Sequence, residues 1–564
     1  MGVRDGWKLF MPDTTSFVDW SASKISRSSP SQLGPRLGVD ASGWMFAAKY
    51  HHVQTKNPAQ ASLFKRLGRL FHLPILLVFV FDGPKRPVHK RKKQIRRTTD
   101  WLTADFKRLL DGFGFAYWDA PGEAEAELAM LSNLHKIDAV MSEDFDALLF
   151  GAQCVIRINN ESDSQYLIDV YENDNQFPPH ELVAIALLSG GDYDDGIKGC
   201  GIRTAVEIAK TGIGKQLADA LKNCTTDDFR RVTLAWRRDL CDVLEKGVDP
   251  LNSRHRSLVS HIPLDFPNAT VVSQYLRPLM SQSKGGRRMP VTPLPSLPDI
   301  PKLAKLCGEL FTWGDSQDII NKFGDHVFPG LAVRELLRAW YKRRGVEPHI
   351  ERTFTPQAII NQACSLRSNQ QRRSSSELYV SLTITPQIIH QITSSVAGSY
   401  NVVTPEPTVN QWTVRAWLPR VLTLHALPNF LDNSQLQKKE DSKMMNSSVI
   451  IKSPRQKSGS AIEISSDDES KTVTKSLSPF IDKKARGRGS ASRPSRSSLC
   501  PRGTSVIELT SDDESKTVAG TLPSLINKQV RSRGSSSLPS GRFLRPRSIS
   551  VVEIISDDET QIAT

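Results

Sequence analysis

The sequence predicts an α/β fold built on a mostly parallel central sheet flanked by helices, and three observations carry that expectation. Between about Arg36 and Val170, short β-rich runs alternate with helical patterns, which is the rhythm of strand–helix–strand units. The β-rich runs are almost continuously apolar rather than alternating, as strands are when helices cover both faces of their sheet. Four aspartates stand at the ends of these runs or in the turns just after them, where open α/β sheets bind ligands.

Taken in order, RLGVD from Arg36, PILLVFVFD from Pro74, FAYWD from Phe115, IDAVMSED from Ile137 and QCVIRI from Gln153 are candidate strands. The amphipathic stretch WLTADFKRLLDGF from Trp101 is a candidate helix. The Ser-rich stretch from Ser21 to Pro35 is expected to loop out. Residues 180–222 read as helices broken by glycines, with GIKGCGIR as the turn between them. Helical patterns continue through PKLAKLCGELFTW to LAVRELLRAWYKRR, ending near Arg344, with a Pro- and Ser-rich loop expected from Met280 to Pro301. A smaller ordered unit is expected over 350–432, where LYVSLTITPQIIHQI and WTVRAWLPRVLTL are apolar and β-branched; its class stays open. From 433 to 564 the chain turns to Ser, Lys, Arg and Asp, cannot bury enough apolar area to offset chain entropy, and is expected to be disordered.

The 564-residue chain carries a formal net charge of +14, which favours a polyanionic partner such as nucleic acid or an anionic membrane. No apolar run reaches the ~20 residues of a spanning helix, which argues against the membrane. MGVRDGWKLFMP has none of the layout of a secretory signal, and Trp7 with no Ser or Thr at position six argues against myristoylation at Gly2. The seven cysteines are scattered, odd in number and form no C-x-x-C pair, which disfavours disulfides and structural zinc and points to a reducing, intracellular compartment.

The strand-end acids are Asp40, Asp82, Asp144 and Asp146. Close carboxylates repel one another unless cations neutralise them, and hard oxygen ligands without a Cys/His cluster suit magnesium or manganese. Glu123, Glu125 and Glu127 open a helix at APGEAEAELAML, where acids are favoured by the helix dipole alone. By helical spacing Glu123 and Glu127 share a face, and Glu125 joins them only if Glu123 lies in the non-helical cap. Asp192, in LLSGGDYDDG, follows an apolar helix and two glycines; Asp194 and Asp195 read as turn residues.

MGVRDGWKLF at the start, GVDASGW around Asp40, FDGP at Asp82, GEAEAE at Glu123, SEDFDALLFGA at Asp144 and GGDY at Asp192 occur in an order that resembles the flap endonuclease family, also called the XPG family. The resemblance covers about residues 1–345, including FTWGDSQDIINKF. It implies a PIN-like nuclease fold, divided into an N-terminal nuclease region (1–120), an internal region (121–195) and a helix-two-turn-helix with C-terminal helices (196–345). Carried over by motif, the metal-site acids are Asp40, Asp82, Glu123, Glu125, Asp144, Asp146 and Asp192, so the family pattern selects Glu125 over Glu127. The implied chemistry is two-metal phosphodiester hydrolysis with two Mg2+ ions, or Mn2+ in their place, about 3.5–4 Å apart.

Directly after Asp82, KRPVHKRKKQIRR holds eight basic residues among the thirteen from 85 to 97: Lys85, Arg86, Lys90, Arg91, Lys92, Lys93, Arg96 and Arg97. The family has a basic helix here, with a lysine and an arginine reaching the scissile phosphate. Without gaps those positions fall on His89 and Arg96, so Lys90 is taken in place of the lysine and both Lys90 and Arg96 join the catalytic set. The family's helix-two-turn-helix grips duplex backbone through its turn, often with a potassium ion, which makes Gly199, Gly201, Ile202 and Arg203 DNA-binding candidates, together with Gly2. Recognition there is of DNA shape, not sequence. Only about 25 residues separate Arg97 from Glu123. So short an arch resembles the family's eukaryotic Holliday-junction resolvase branch, which implies a dimer on four-way junctions and activity on 5′ flaps. It also implies a nuclear location and a chromodomain-like accessory unit in 350–432, to which Trp412 and Trp417 would belong as binding or core aromatics.

The tail contains a repeat. IEISSDDESKTV begins at Ile462, IELTSDDESKTV at Ile507 and VEIISDDET at Val552, an even spacing of 45 residues. Each joins an aliphatic run to Ser-Asp-Asp-Glu, which resembles a SUMO-interacting motif: the run adds a strand to a partner's sheet edge and the acids meet basic residues. Ile462, Ile464, Ile507, Leu509, Val552 and Ile554 would carry that contact; disordered acidic kinase sites are the competing reading, and Ser466, Ser511 and Ser556 suit both. Two other functions stay open: a flap or repair nuclease without paired junction cutting, and a non-catalytic junction-binding scaffold recruited through SUMO.

Overall fold

In chain order the described strands are β1 (Asp13–Ser16), β2 (Arg36–Asp40), β3 (Leu76–Phe81), β4 (His89–Lys90), β5 (Lys93–Gln94), β6 (Ala116–Asp119), β7 (Ala139–Met141), β8 (Cys154–Glu161), β9 (Tyr166–Glu172), β10 (Ala358–Ala363), β11 (Glu377–Ile384) and β12 (Trp412–Pro419). Seven of them form the central sheet, in the order β1-β9-β8-β7-β2-β3-β6. The five from β8 to β6 run parallel, and β9 and β1 add an antiparallel edge. This computed structural model describes most of residues 2–430; the undescribed positions are 28–33, 51–54, 91–92, 95–98, 162–165, 174–175, 223, 248–254, 283–295, 312, 314, 346–355, 365–374, 397–411 and all from 431 onward. The described residues all belong to one compact unit.

The five strands read from the sequence are the five parallel ones. Their continuous apolarity is explained by burial: every residue of β3 is buried, with helices on both faces. One face packs against the helices Pro58–Phe71, Thr103–Phe113, Ile300–Leu310 and Phe328–Arg344. The other packs against Ala124–Asn133 and Pro179–Ser189. From β2 the chain moves outward to β3 and β6, then returns to β7 on the other side of β2. The sheet therefore has its switch point between the carboxyl ends of β2 and β7, where a crevice opens.

Two sequence expectations are corrected. Residues 21–27 do not loop out: they end the helix Phe17–Arg27, which buries Phe17, Trp20 and Ile25 on one side. Its serines turn inward on the helix itself, Ser21, Ser23 and Ser26 donating to the carbonyls of Val18, Trp20 and Ala22. Pro301 does not belong to the preceding loop, since it sits in the first turn of Ile300–Leu310, capped by Asp299.

The region 350–432 holds the three-stranded antiparallel sheet β10-β11-β12 and the helices Pro386–Val396 and Arg420–Ala426. It is not set apart. Val380, Leu382, Ile384, Ile388 and Leu418 join the same core as Phe311, Phe323 and Trp340. Buried Glu335 accepts from the backbone N–H of Gln357 at 2.6 Å and of Ala358, which ties β10 to the helix Phe328–Arg344. Among the described residues no helix is long and apolar enough to cross a membrane, and six of the seven cysteines are described and free.

Candidate active site

Asp40 is the last residue of β2 and the N-cap of the helix Ala41–Lys49, its Oδ1 accepting from the N–H of Ser42 at 2.9 Å and of Gly43 at 3.1 Å. Asp82 follows β3. Gly83 lets that turn lie against the Ala120–Gly122 loop, since a Cβ there would fall 1.8 Å from the Ala120 carbonyl oxygen. Held so close, Asp82 Oδ1 reaches the N–H of Ala124 at 2.9 Å and caps the helix Ala124–Asn133. That duty leaves Glu123 free, with extended backbone at φ −83°, ψ 143° in the N-cap position. Glu123 is therefore outside the helix, and both it and Glu125 join the acid cluster. Glu127 points elsewhere: it is fully buried and accepts from Trp118 Nε1 at 3.1 Å and Ser281 N at 2.9 Å.

Ser142 follows β7 and links the halves of the cluster. Its hydroxyl donates to Asp40 Oδ2 at 3.2 Å and accepts from the N–H of Asp144 at 3.1 Å. Asp144 Oδ1 accepts from the N–H of Asp146. Asp192, in the loop after the helix Pro179–Ser189, accepts from the N–H of Gly2 at 3.0 Å. Gly2 is buried with a positive φ of 78°, and a Cβ on it would lie 2.4 Å from Asp146 Oδ1 and 2.5 Å from Asp144 Oδ1. Only glycine fits there.

The seven acids thus meet at the switch point, and six of them are buried. Burial and then the charge of Asp82 push Asp40 up to about 7. Burial followed by Asp40 holds Glu125 well above the usual carboxylate range, as burial and Asp144 do for Asp146. Burial alone would lower Lys90, but Glu125 and Glu123 outweigh it and raise it well above the ordinary lysine value. Lys90 forms an ion pair with Glu123, and its Nζ lies 3.5 Å from Asp192 Oδ2. Both carboxylate oxygens of Asp146 are buried without a hydrogen-bond partner. A hard cation suits that donor set, because it would satisfy those oxygens and relieve the mutual repulsion. Among the described residues no three His, Cys, Asp or Glu side chains are drawn up as a finished cage for an ion.

Where the family resemblance implies a basic helix, the described residues of 85–97 include a two-residue strand pair, β4 with β5. His89 is exposed, and Lys90 turns inward towards the acids. Lys85 is exposed, while Arg86 Nη1 lies 3.7 Å from Asp82 Oδ2. Arg91, Lys92, Arg96 and Arg97, and the side chain of Lys93, lie outside the described residues. Gly201 caps the short helix Ile202–Ile208, with Gly199 at φ 88° before it, and Gly201 and Arg203 are exposed.

Sequence reasoning missed Ser42, Ser142 and Tyr193. Ser42 donates to Asp82 Oδ2 at 2.9 Å, and Tyr193 donates to Glu123. All three stand beside acids in the quoted motifs, which was the available signal. It also missed an exposed aromatic group: Phe46 (55% exposed) and Tyr50 (68%), with ring centroids 4.9 Å apart, and Trp101 (63%), whose neighbour Asp100 pairs with Lys49.

A mostly parallel sheet with a buried carboxylate cluster at its switch point defines a PIN-like nuclease fold. Residues 114–192 match the XPG I-region family model. The chain is 29% identical over 221 residues to mouse DNA excision repair protein ERCC-5, covering 38% of this chain and 17% of that protein. It is 33% identical over 149 residues to flap endonuclease 1 of Methanocaldococcus jannaschii, covering 25% of this chain and 45% of the other. It therefore spans less than half the length of these two curated relatives. A solved structure of the Holliday junction-resolving enzyme GEN1 with product DNA and Mg2+ superposes with a TM-score of 0.55 at 26% identity, over 77% of this chain and 97% of that one. The junction-resolving enzyme GEN-1 with caesium gives a TM-score of 0.56 at 25% identity, again over 77% and 97%. The chain is thus similar to XPG-family nucleases through its I-region and, in fold, to the junction-resolving enzyme GEN1.

Proposed function

We propose that this protein is a structure-selective DNA endonuclease that hydrolyses phosphodiester bonds in four-way junctions and 5′ flaps during recombination and repair. The observation that carries the reading is the convergence of Asp40, Asp82, Glu123, Glu125, Asp144, Asp146 and Asp192, with both carboxylate oxygens of Asp146 buried without a hydrogen-bond partner. GEN1 in complex with product DNA, Mg2+ and Mn2+ supports the same chemistry.

The seven acids would hold two divalent ions, Mg2+ or Mn2+ in its place, which when bound supply Lewis-acid stabilisation of charge on the phosphate oxygens. The rest falls to the chain. Ser42 and Ser142 fix the carboxylates of Asp82 and Asp40, and Tyr193 fixes Glu123, so that the donor set needs little reorganisation. Lys90 and Arg96 meet the scissile phosphate. Lys85, Arg86, Arg91, Lys92, Lys93 and Arg97 track the backbone, with Gly2 at the floor of the cleft. Gly199, Gly201, Ile202 and Arg203 receive a duplex phosphate on the turn, where K+ would bind; the GEN-1 structure with potassium supports that ion. Phe46 and Tyr50 offer a face on which an unpaired base can stack.

Paired cutting would come from a dimer on the junction, in the nucleus. The β10-β12 unit is the chromodomain-like accessory, and the tail repeats with Ile462, Ile464, Ile507, Leu509, Val552 and Ile554 bind SUMO; those six residues lie outside the described part of the chain. The test is incubation of the purified protein with labelled four-way junction, 5′ flap and linear duplex, with and without Mg2+. Symmetric nicks in opposing strands support resolution, flap cutting alone supports a repair nuclease, and binding without cutting overturns the enzyme reading.

A further inference from the structure

The segment after β3 delivers two cations into the acid cluster. Arg86 lies beside Asp82, and Lys90 lies against Glu123 and Asp192. Lys90 is only 23% exposed, although Lys85 and His89 on the same segment face solvent. Tyr193 supports it from beneath: Nζ stands 5.9 Å from the ring centroid, and the Tyr193 hydroxyl donates to the same Glu123. Drawing a lysine inward costs hydration and rotamer freedom, so a surrounding of uncompensated negative charge is needed to hold it. Glu123, Glu125, Asp146 and Asp192 provide that charge.

We infer that Lys90 is a built-in counter-cation that competes with a divalent ion for Glu123 and Asp192, and that a DNA phosphate couples substrate binding to ion loading by drawing Lys90 away. This rests on the nuclease reading above. Lysine is suited to such an exchange because its ammonium is a compact charge on a flexible four-carbon stem. A phosphodiester entering the cleft offers it a second anion, and the acids it leaves become available. By reciprocity, an ion in the cluster also frees Lys90 for the phosphate, so each ligand raises the affinity of the other. The free enzyme then holds its ion weakly and completes its site only on DNA.

The test is Mn2+ binding, followed by electron paramagnetic resonance, to the full-length protein as wild type, Lys90→Met, Lys90→Arg and Asp146→Asn, with and without a short blunt duplex. Without DNA, Lys90→Met should bind Mn2+ roughly tenfold tighter than wild type, the effect of removing one partly screened competing charge. Lys90→Arg should stay close to wild type, and adding duplex should narrow the gap between Lys90→Met and wild type. In the metal-free state Lys90→Met should melt below wild type, and Mn2+ should recover the difference. Equal or weaker Mn2+ binding by Lys90→Met, in protein that circular dichroism shows to be folded, overturns the inference. If that variant does not fold, Lys90→Gln is read in the same way. Undiminished Mn2+ binding by Asp146→Asn overturns the nuclease reading instead, so the two failures are distinct.

Discussion

Asp82 Oδ1 accepts a hydrogen bond from the backbone N–H of Ala124 at 2.9 Å, which makes one acid both a member of the carboxylate cluster and the cap of the helix that supplies two others. The two roles separate by substitution. Asp82→Asn keeps the cap but removes the charge, so cleavage should fall by roughly 100-fold or more while the melting temperature holds. Asp82→Ala should lose about 1 kcal/mol of stability in addition. Paired measurements of cleavage rate and thermal unfolding check both.

Asp144→Asn with Asp146→Asn should abolish cleavage and spare DNA binding in gel-shift assays. The same change removes two buried, mutually repelling carboxylates. Without divalent ions the double variant should therefore melt above wild type in a calorimeter, and added Mg2+ should not stabilise it. A cluster that costs stability and is kept is the pattern expected of a functional site.

Glu335 sets a pH dependence away from the cluster. Burial raises its carboxyl from the usual 4.5 to about 8, outweighing the backbone donors Gln357 and Ala358. A folded value above the unfolded one means that folding takes up a proton. This contribution is thus complete below about 4.5 and is lost as the pH rises towards 8, with a slope of at most about 1.4 kcal/mol per pH unit. Glu335→Gln keeps an oxygen for the two N–H groups and removes the titration. Melting curves from pH 5 to 8.5 should show the variant gaining on wild type as the pH rises.

Phe46→Ala with Tyr50→Ala should weaken binding to flaps and junctions by about 1–3 kcal/mol for each base that stacks, and leave linear duplex affinity nearly unchanged. Fluorescence anisotropy with matched branched and linear DNA measures the difference.

Salt dependence checks the basic segment. If about four side chains from 85–97 contact duplex phosphates, the slope of log affinity against log salt should be near −3.6. Loss of Lys85 should reduce it by about one contact.

The parallel strands and their terminal aspartates were legible because burial on both faces leaves a continuous apolar run with an abrupt polar end, as in LLVFVF followed by Asp82. The glutamates were not, since helical spacing cannot say where a helix begins; the Asp82 cap decides that, and it comes from a distant turn. β1 and β9 escaped notice for a different reason. DTTS is short and polar, and YLIDVYE has mixed burial on a sheet edge. The helix Phe17–Arg27 was hidden by serines whose hydroxyls bond back to its own carbonyls. Tyr193 and Ser142 carried a signal only through the acids next to them.

The core that β11, β12 and the helix Pro386–Val396 share with Phe311, Phe323 and Trp340 bears on how this protein can be handled. A chain ended near residue 345 would keep every acid of the cluster yet leave the outer sides of Ile300–Leu310, Ser316–His326 and Phe328–Arg344 bare, an adhesive apolar surface in water. Such a fragment should aggregate on expression, whereas one ended after Phe430 should stay monodisperse. The minimal soluble fragment is thus set by the covering sheet rather than by the last of the clustered acids.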